Sequence, residues 1–294
     1  MLLGAVLVSL RLLPGSPFAA RAATRWGEPP AHTSAGRAGD PTPSPSPTLP
    51  PLPVRPAEVR LDAEGWWSWA ILDTRTGEIS GAPNMTETST TASMIKAWIA
   101  ADYLRRTAEA GQTPSNTRLR QLTAIIRDSN NEYTSSLFRE VGRTESIERL
   151  IEICELTDSH PANDGGWSRT ALSAQDTARL GACIADGRAA GPEWTDWLLE
   201  EMRLVRGVGD FGIRKAFPAE EQKTIAIKNG WIERTQEREY HVNCLAIGDG
   251  WTMGVLVRYP FGLGGYEYGM NNCQKIAEQL LAPTPTPEAL SSGV

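Results

Sequence analysis

Three polar clusters have residue types and spacing suited to chemistry. Ser93-Met94-Ile95-Lys96 opens a segment with helical spacing of Ile95, Trp98 and Ile99, so its hydroxyl and amine share one face, one turn apart. A serine is a poor nucleophile at its own pKa, and a lysine takes its proton only where burial or a neighbouring cation keeps the amine neutral. Ser129-Asn130-Asn131 breaks one helical segment and opens the next, offering a hydroxyl and two amides from a loop. Lys228-Asn229-Gly230-Trp231 lies on a strand expected at a sheet edge, where the glycine lets a substrate backbone come close. Singly, each cluster has a plain structural explanation, since an S-x-x-K is expected roughly once by chance in a chain of ordinary composition and this length.

The elements that must position these clusters follow from the hydrophobic spacing. Trp66 to Leu72, the turn Asp73-Thr74-Arg75-Thr76-Gly77 and Glu78-Ile79-Ser80 read as a hairpin. From Ala92 to Arg206 the spacing is helical throughout, as in Leu119, Leu122, Ile125 and Ile126, or Ile147, Leu150, Ile151 and Cys154. Ser173-Ala174-Gln175-Asp176 predicts a helix start, its serine oxygen accepting a backbone N–H and its acid favoured by the helix dipole. Strand patterns return at Thr224 to Lys228, Tyr240 to Ile247 and Trp251 to Val257, with Gly248-Asp249-Gly250 as a tight turn. A last helix covers about Met270 to Leu281. The fold class is therefore α/β (α+β), with an antiparallel sheet built from both ends of the domain, helices on its faces and a helical insert. A site belongs where the sheet edge meets the helical block. Trp66, Trp67 and Trp69 occupy neighbouring strand positions and so face both sides of the sheet, which is packing behaviour rather than a sugar platform.

Composition bounds the partners. The 294 residues carry a net charge of −6, so the phosphate attraction behind nucleic-acid binding is missing. Four cysteines without a C-x-x-C pair, and three histidines, offer no zinc framework. No metal and no cofactor are expected, and the chain is expected to be a monomer acting on a small molecule. Residues 1–23 form an apolar run, Leu2 to Leu13 broken by Arg11, followed by Ala20-Arg21-Ala22, the pattern of a signal peptide or short anchor. The basic n-region is missing, which places the true start upstream. Residues 24–56 form a Pro/Ser/Thr-rich linker expected to be disordered, residues 57–282 the domain, and residues 283–294 a disordered tail resuming the linker composition. Export to the cell envelope or beyond follows from this layout.

Order and placement join the three clusters. A nucleophile on the first helix after the opening hairpin, Ser-x-Asn on an interhelical loop 36 residues on, and Lys-x-Gly on the first strand after the helical block resemble the class A β-lactamases and penicillin-binding proteins. Thr90-Thr91-Ala92, Arg127-Asp128 and His241-Val242-Asn243 agree with this, and the resemblance runs over about Leu61 to Leu281, of an exported type common in actinobacteria. It implies Ser93 as the acylated nucleophile, Lys96 as its general base, Ser129 as the proton relay to the leaving nitrogen and Lys228 as a positive charge near a substrate carboxylate. It implies that Asn131, Asn229, Gly230, Trp231, His241 and Asn243 bind substrate, with the backbone N–H groups of Ser93 and Trp231 as the oxyanion hole. The implied substrate is a β-lactam or a D-amino-acid peptide stem of peptidoglycan.

Three positions depart from that family pattern. Asn130 replaces an aspartate, Asn229 replaces a threonine or serine, and the loop Leu156 to Trp167 contains no glutamate to activate a deacylating water. Within the loop Asp158 and Asp164 are the candidates, each expected to be a solvated side chain, while Glu155 belongs to a helix end. Slow deacylation follows. The alternative is a non-catalytic, tethered cell-wall-binding module that keeps the fold without turnover. Cys154 and Cys183 lie on helices flanking the loop, Cys244 on the central returning strand and Cys273 on the terminal helix. That placement selects Cys154–Cys183 and Cys244–Cys273 among three possible pairings for an exported chain.

Overall fold

The hairpin turn predicted at Asp73 to Gly77 joins the first two strands, β1 (Trp66–Asp73) and β2 (Ile79–Gly81), in a computed structural model that describes residues 49–282. The pairing is antiparallel with Ala70 opposite Gly81, and Gly77 turns the chain with a φ of 78°, open to glycine without strain. A short strand β3 (Thr88–Thr90) then leads through a tight 3-10 turn at Ala92–Ile95 into α1 (Lys96–Glu109). Three more helices follow: α2 (Asn116–Arg127), α3 (Asn131–Glu140) and α4 (Thr144–Ile153). Each of α2 and α3 begins on a side-chain cap, Ser115 accepting from the Arg118 N–H and Asn130 from the Tyr133 N–H. Asn130 thus serves as the cap of α3.

A long loop leads to β4 (Ala171–Ser173) and directly into α5 (Ala174–Ala185), where Ser173 Oγ accepts from the Asp176 N–H as the sequence predicts. After α6 (Thr195–Arg203) and the one-turn α7 (Ala219–Gln222) come β5 (Ala226–Arg234), β6 (Glu239–Gly248), β7 (Trp251–Pro260) and the closing helix α8 (Tyr266–Leu280). The sheet has the order β2-β1-β7-β6-β5, all antiparallel, so strands from the two ends of the domain meet at β1–β7. β5 is left as an edge. β3 and β4 form a separate two-stranded sheet, which three-residue strands keep below the reach of periodicity.

α5 packs against the sheet through positions where only glycine fits: a Cβ at Gly254 would lie 2.6 Å from Thr177 Cβ, and one at Gly181 2.9 Å from Thr252 Cβ. α8 covers the opposite face, fastened by the Cys244–Cys273 bridge, while Cys154–Cys183 ties the end of α4 to α5. Both pairings are those selected from the sequence. The folded unit starts earlier than residue 57. Val54 is buried and pairs with Leu281, and the Ala282 N–H donates to the Pro53 carbonyl, so residues 50–56 belong to the packed body and both ends of the described chain leave it side by side. The expected leader, most of the linker and the tail lie outside the described residues.

Candidate active site

The 3-10 turn between β3 and α1 puts Ser93 where the sheet edge β5 meets the helices. Ala92 adopts a left-handed φ of 48°, a strained choice for a residue with a Cβ, and the turn is pinned by the Thr91 N–H to the Thr170 carbonyl at 2.9 Å. Ser93 is half-buried, whereas Lys96, first residue of α1, is fully buried. Lys96 Nζ lies 2.6 Å from the Ser129 carbonyl, 2.6 Å from Asn131 Oδ1 and 3.1 Å from Ser129 Oγ. Ser129, whose φ of 57° is again left-handed, occupies the bend between α2 and α3. From the sheet edge, Lys228 reaches the same hydroxyl, its Nζ 3.2 Å from Ser129 Oγ and 3.1 Å from the Asn229 carbonyl. One hydroxyl therefore sits between two buried amines.

Neither amine has a carboxylate partner among the described residues. Burial, and secondly the charge of Lys228, push the Lys96 pKa down to about 6; burial alone pushes Lys228 down to about 7. A neutral Lys96 has two hydrogens for its two short contacts and keeps a lone pair for a hydroxyl proton. Its geometry matches a base. Ser93 Oγ itself has no side-chain hydrogen-bond partner among the described residues, and such contacts often tighten only when substrate binds.

Gly230 brings β5 against the turn that carries Ser93. A Cβ there would collide with the Thr91 carbonyl and stand 2.7 Å from Ser93 N, so any other residue would push the edge strand away. This close approach sets the backbone of Gly230 and Trp231 beside that of Ser93. The Trp231 ring lies edge-on to Phe211 at 5.7 Å.

Ser93, Lys96, Ser129, Asn131, Lys228 and Gly230 are thus brought together; three of the expected substrate-binding side chains are not. Strand alternation puts Lys228 and Gly230 on the face toward Ser129 and Ser93 and Asn229 on the other, where its amide donates to the Gly209 and Phe211 carbonyls at 3.0 and 2.8 Å. Asn229 is a brace for the loop before β5 and not a substrate contact. His241 and Asn243 do face the helical side but are spent on β3: Asn243 Nδ2 donates to the Thr90 carbonyl at 2.9 Å and His241 Nδ1 pairs with Thr90 Oγ1 at 2.8 Å. Burial and the nearby Arg234 and Arg258 lower the His241 pKa to about 4, so the ring stays neutral and supplies no charge for a carboxylate.

The loop after α4 also departs from expectation. Asp158 is half-buried and one of its carboxylate oxygens is bonded, Oδ2 accepting from Ser173 Oγ at 2.8 Å and Gln175 Nε2 at 2.7 Å. Asp164 is exposed, accepting from the Gly166 N–H, and Glu155 lies outside the helix on Arg188. Sequence reasoning missed Trp167, whose ring centre is 5.0 Å from Lys96 Nζ. Its only signal was a tryptophan following Gly165-Gly166 in an otherwise polar loop.

Solved structures share this arrangement of sheet and helices. A β-lactamase from Burkholderia vietnamiensis superposes with a TM-score of 0.61 at 16% identity, over 74% of this chain and 90% of that one. The class A β-lactamase of Mycobacterium abscessus gives 0.58 at 16% over 73% and 92%. The fold is β-lactamase-like. At that identity the likeness concerns the fold alone. No protein-family model matches the chain. Among curated proteins, the candidate lipoprotein LppW of Mycobacterium tuberculosis, and likewise that of Mycobacterium bovis, is 27% identical over 190 residues, 62% of this chain. The chain matches 59% of the length of those relatives. Among the described residues no helix is long and apolar enough to cross a membrane, and no group of side chains is arranged to hold a metal ion.

Proposed function

We propose that the protein is an exported serine acyl-transfer enzyme that opens β-lactams, or cleaves D-amino-acid peptide stems of peptidoglycan, through an ester on Ser93. The observation that carries the reading is the hydroxyl of Ser129 held between the Nζ atoms of Lys96 and Lys228, one helical turn from a half-buried serine. Neutral Lys96 takes the proton of Ser93 as its oxygen attacks the carbonyl. The N–H groups of Ser93 and Trp231, on adjoining backbone segments, stabilise the oxyanion. The proton then passes through Ser129 to the departing nitrogen, while Lys228 holds positive potential at the relay and for a substrate carboxylate. Two cysteine bridges support an oxidising destination.

The carboxylates of the loop after α4 are bonded elsewhere, which favours a persistent adduct over rapid turnover. Incubation with a fluorescent penicillin followed by intact-mass measurement tests the reading. One covalent adduct is expected on the wild-type chain and none on Ser93→Ala, with the circular-dichroism spectrum unchanged. Equal labelling of both would remove Ser93 from the role, and no labelling of either would leave the non-catalytic binding module.

A further inference from the structure

An aromatic ring stands beside the buried amine of Lys96. Trp167 lies 5.0 Å from Lys96 Nζ, and its Nε1 donates to Ser135 Oγ on α3 at 3.3 Å. The backbone that carries the ring is fastened as well. Arg234, 4% exposed, donates to the Ser168 carbonyl and to Thr90 Oγ1. The Thr170 N–H closes a turn onto the Trp167 carbonyl, and the Thr170 carbonyl accepts from Thr91, next but one to the nucleophile. The loop and the nucleophile's turn are therefore one hydrogen-bonded unit, with the indole clamped over the amine.

Hydrolysis of an ester on Ser93 requires a water oxygen to bond to the acyl carbon while its proton goes to a base. The bond from that carbon to Ser93 Oγ then breaks, and the serine oxygen recovers a proton. We infer that Trp167 sets the lifetime of the acyl adduct, its ring excluding water and a water-activating base from the Lys96 side. The inference rests on acylation of Ser93 as proposed above.

The full chain and its Trp167→Phe, Trp167→Ala and Trp167→Glu variants, each checked for folding by circular dichroism, are labelled with a fluorescent penicillin, and release of label is followed by intact mass. Trp167→Phe is expected to hold its label as the wild type does. Trp167→Glu should release it about 10²-fold faster or more, the lower end of what a positioned base contributes, with Trp167→Ala between. Release at the wild-type rate from folded, fully labelled Ala and Glu variants would overturn the inference. A second readout does not need labelling: the Lys96 side-chain titration, followed by carbon-13 NMR. Opening the cover in Trp167→Ala should raise the pKa from about 6 towards the ordinary lysine value. An unmoved titration would show that the ring does not cover the amine. Absence of label on the wild type, with the titration moved, would count against acylation of Ser93 and not against the cover.

Discussion

Helix α1 carries two buried charged side chains, six residues apart, that are treated in opposite ways. Asp102 is surrounded by donors: Arg105, Arg149 and the Ser146 hydroxyl all reach its carboxylate, so α1 is locked to α4 through a compensated charge. Lys96 is just as buried, yet neutral oxygens, the Trp167 ring and a second lysine face it, with no carboxylate among the described residues. A buried charge that is paired serves the architecture, whereas one left unpaired gives up its charge. Two turns of one helix thus separate a compensated charge from an uncompensated one.

Substitutions can break that contrast. The largest effect is expected on reactivity: Lys96→Ala should slow acylation by about 10²- to 10⁴-fold, the usual contribution of a positioned general base, measured as the second-order rate of penicillin labelling. Next in size is Asp102→Ala, which leaves two arginines without their partner and should destabilise by about 3–5 kcal/mol in denaturant unfolding. Removing the Cys154–Cys183 bridge, which closes a 29-residue separation between α4 and α5, should lower stability by about 3–4 kcal/mol on the chain-entropy scale. A further substitution sharpens the comparison by its sign. Lys96→Met should stabilise the fold, where Asp102→Ala weakens it. The unfolded lysine keeps its proton up to its ordinary 10.5, whereas the folded one loses it at about 6. Between those values the unfolded state binds more protons, so wild-type stability rises with pH. The advantage of Lys96→Met is therefore full below pH 6 and fades as pH approaches 10.5.

What could be read from the sequence was what local spacing encodes. The i, i+3 relation places Ser93 and Lys96 a turn apart, the strand pattern puts Lys228 at an edge, and the elements bearing the four cysteines select the two bridges. Asn229 shows where analogy outran geometry. Alternation along β5, already visible in the sequence, excludes it from the face that Lys228 and Gly230 share, but the motif reading treated the run as one unit. His241 and Asn243 follow the alternation but bond to Thr90 of β3, a strand too short to detect by period. Trp167 was beyond reach for another reason. Its contact with Lys96 joins a non-periodic loop to a helix 71 residues away, and no local rule says which loop residue ends over which amine.

In the proposed mechanism Ser93 is activated by a lysine kept neutral by burial and by a neighbouring lysine. The most direct measurement is the second-order rate of wild-type acylation by a β-lactam across pH 4 to 10. The rate should climb tenfold per pH unit at the acid end, level as Lys96 loses its proton near pH 6, and decline above about pH 7 as Lys228 loses its charge. A rate that keeps rising to pH 10, with no inflection near 6, would mean that Lys96 is an ordinary ammonium and would contradict the account.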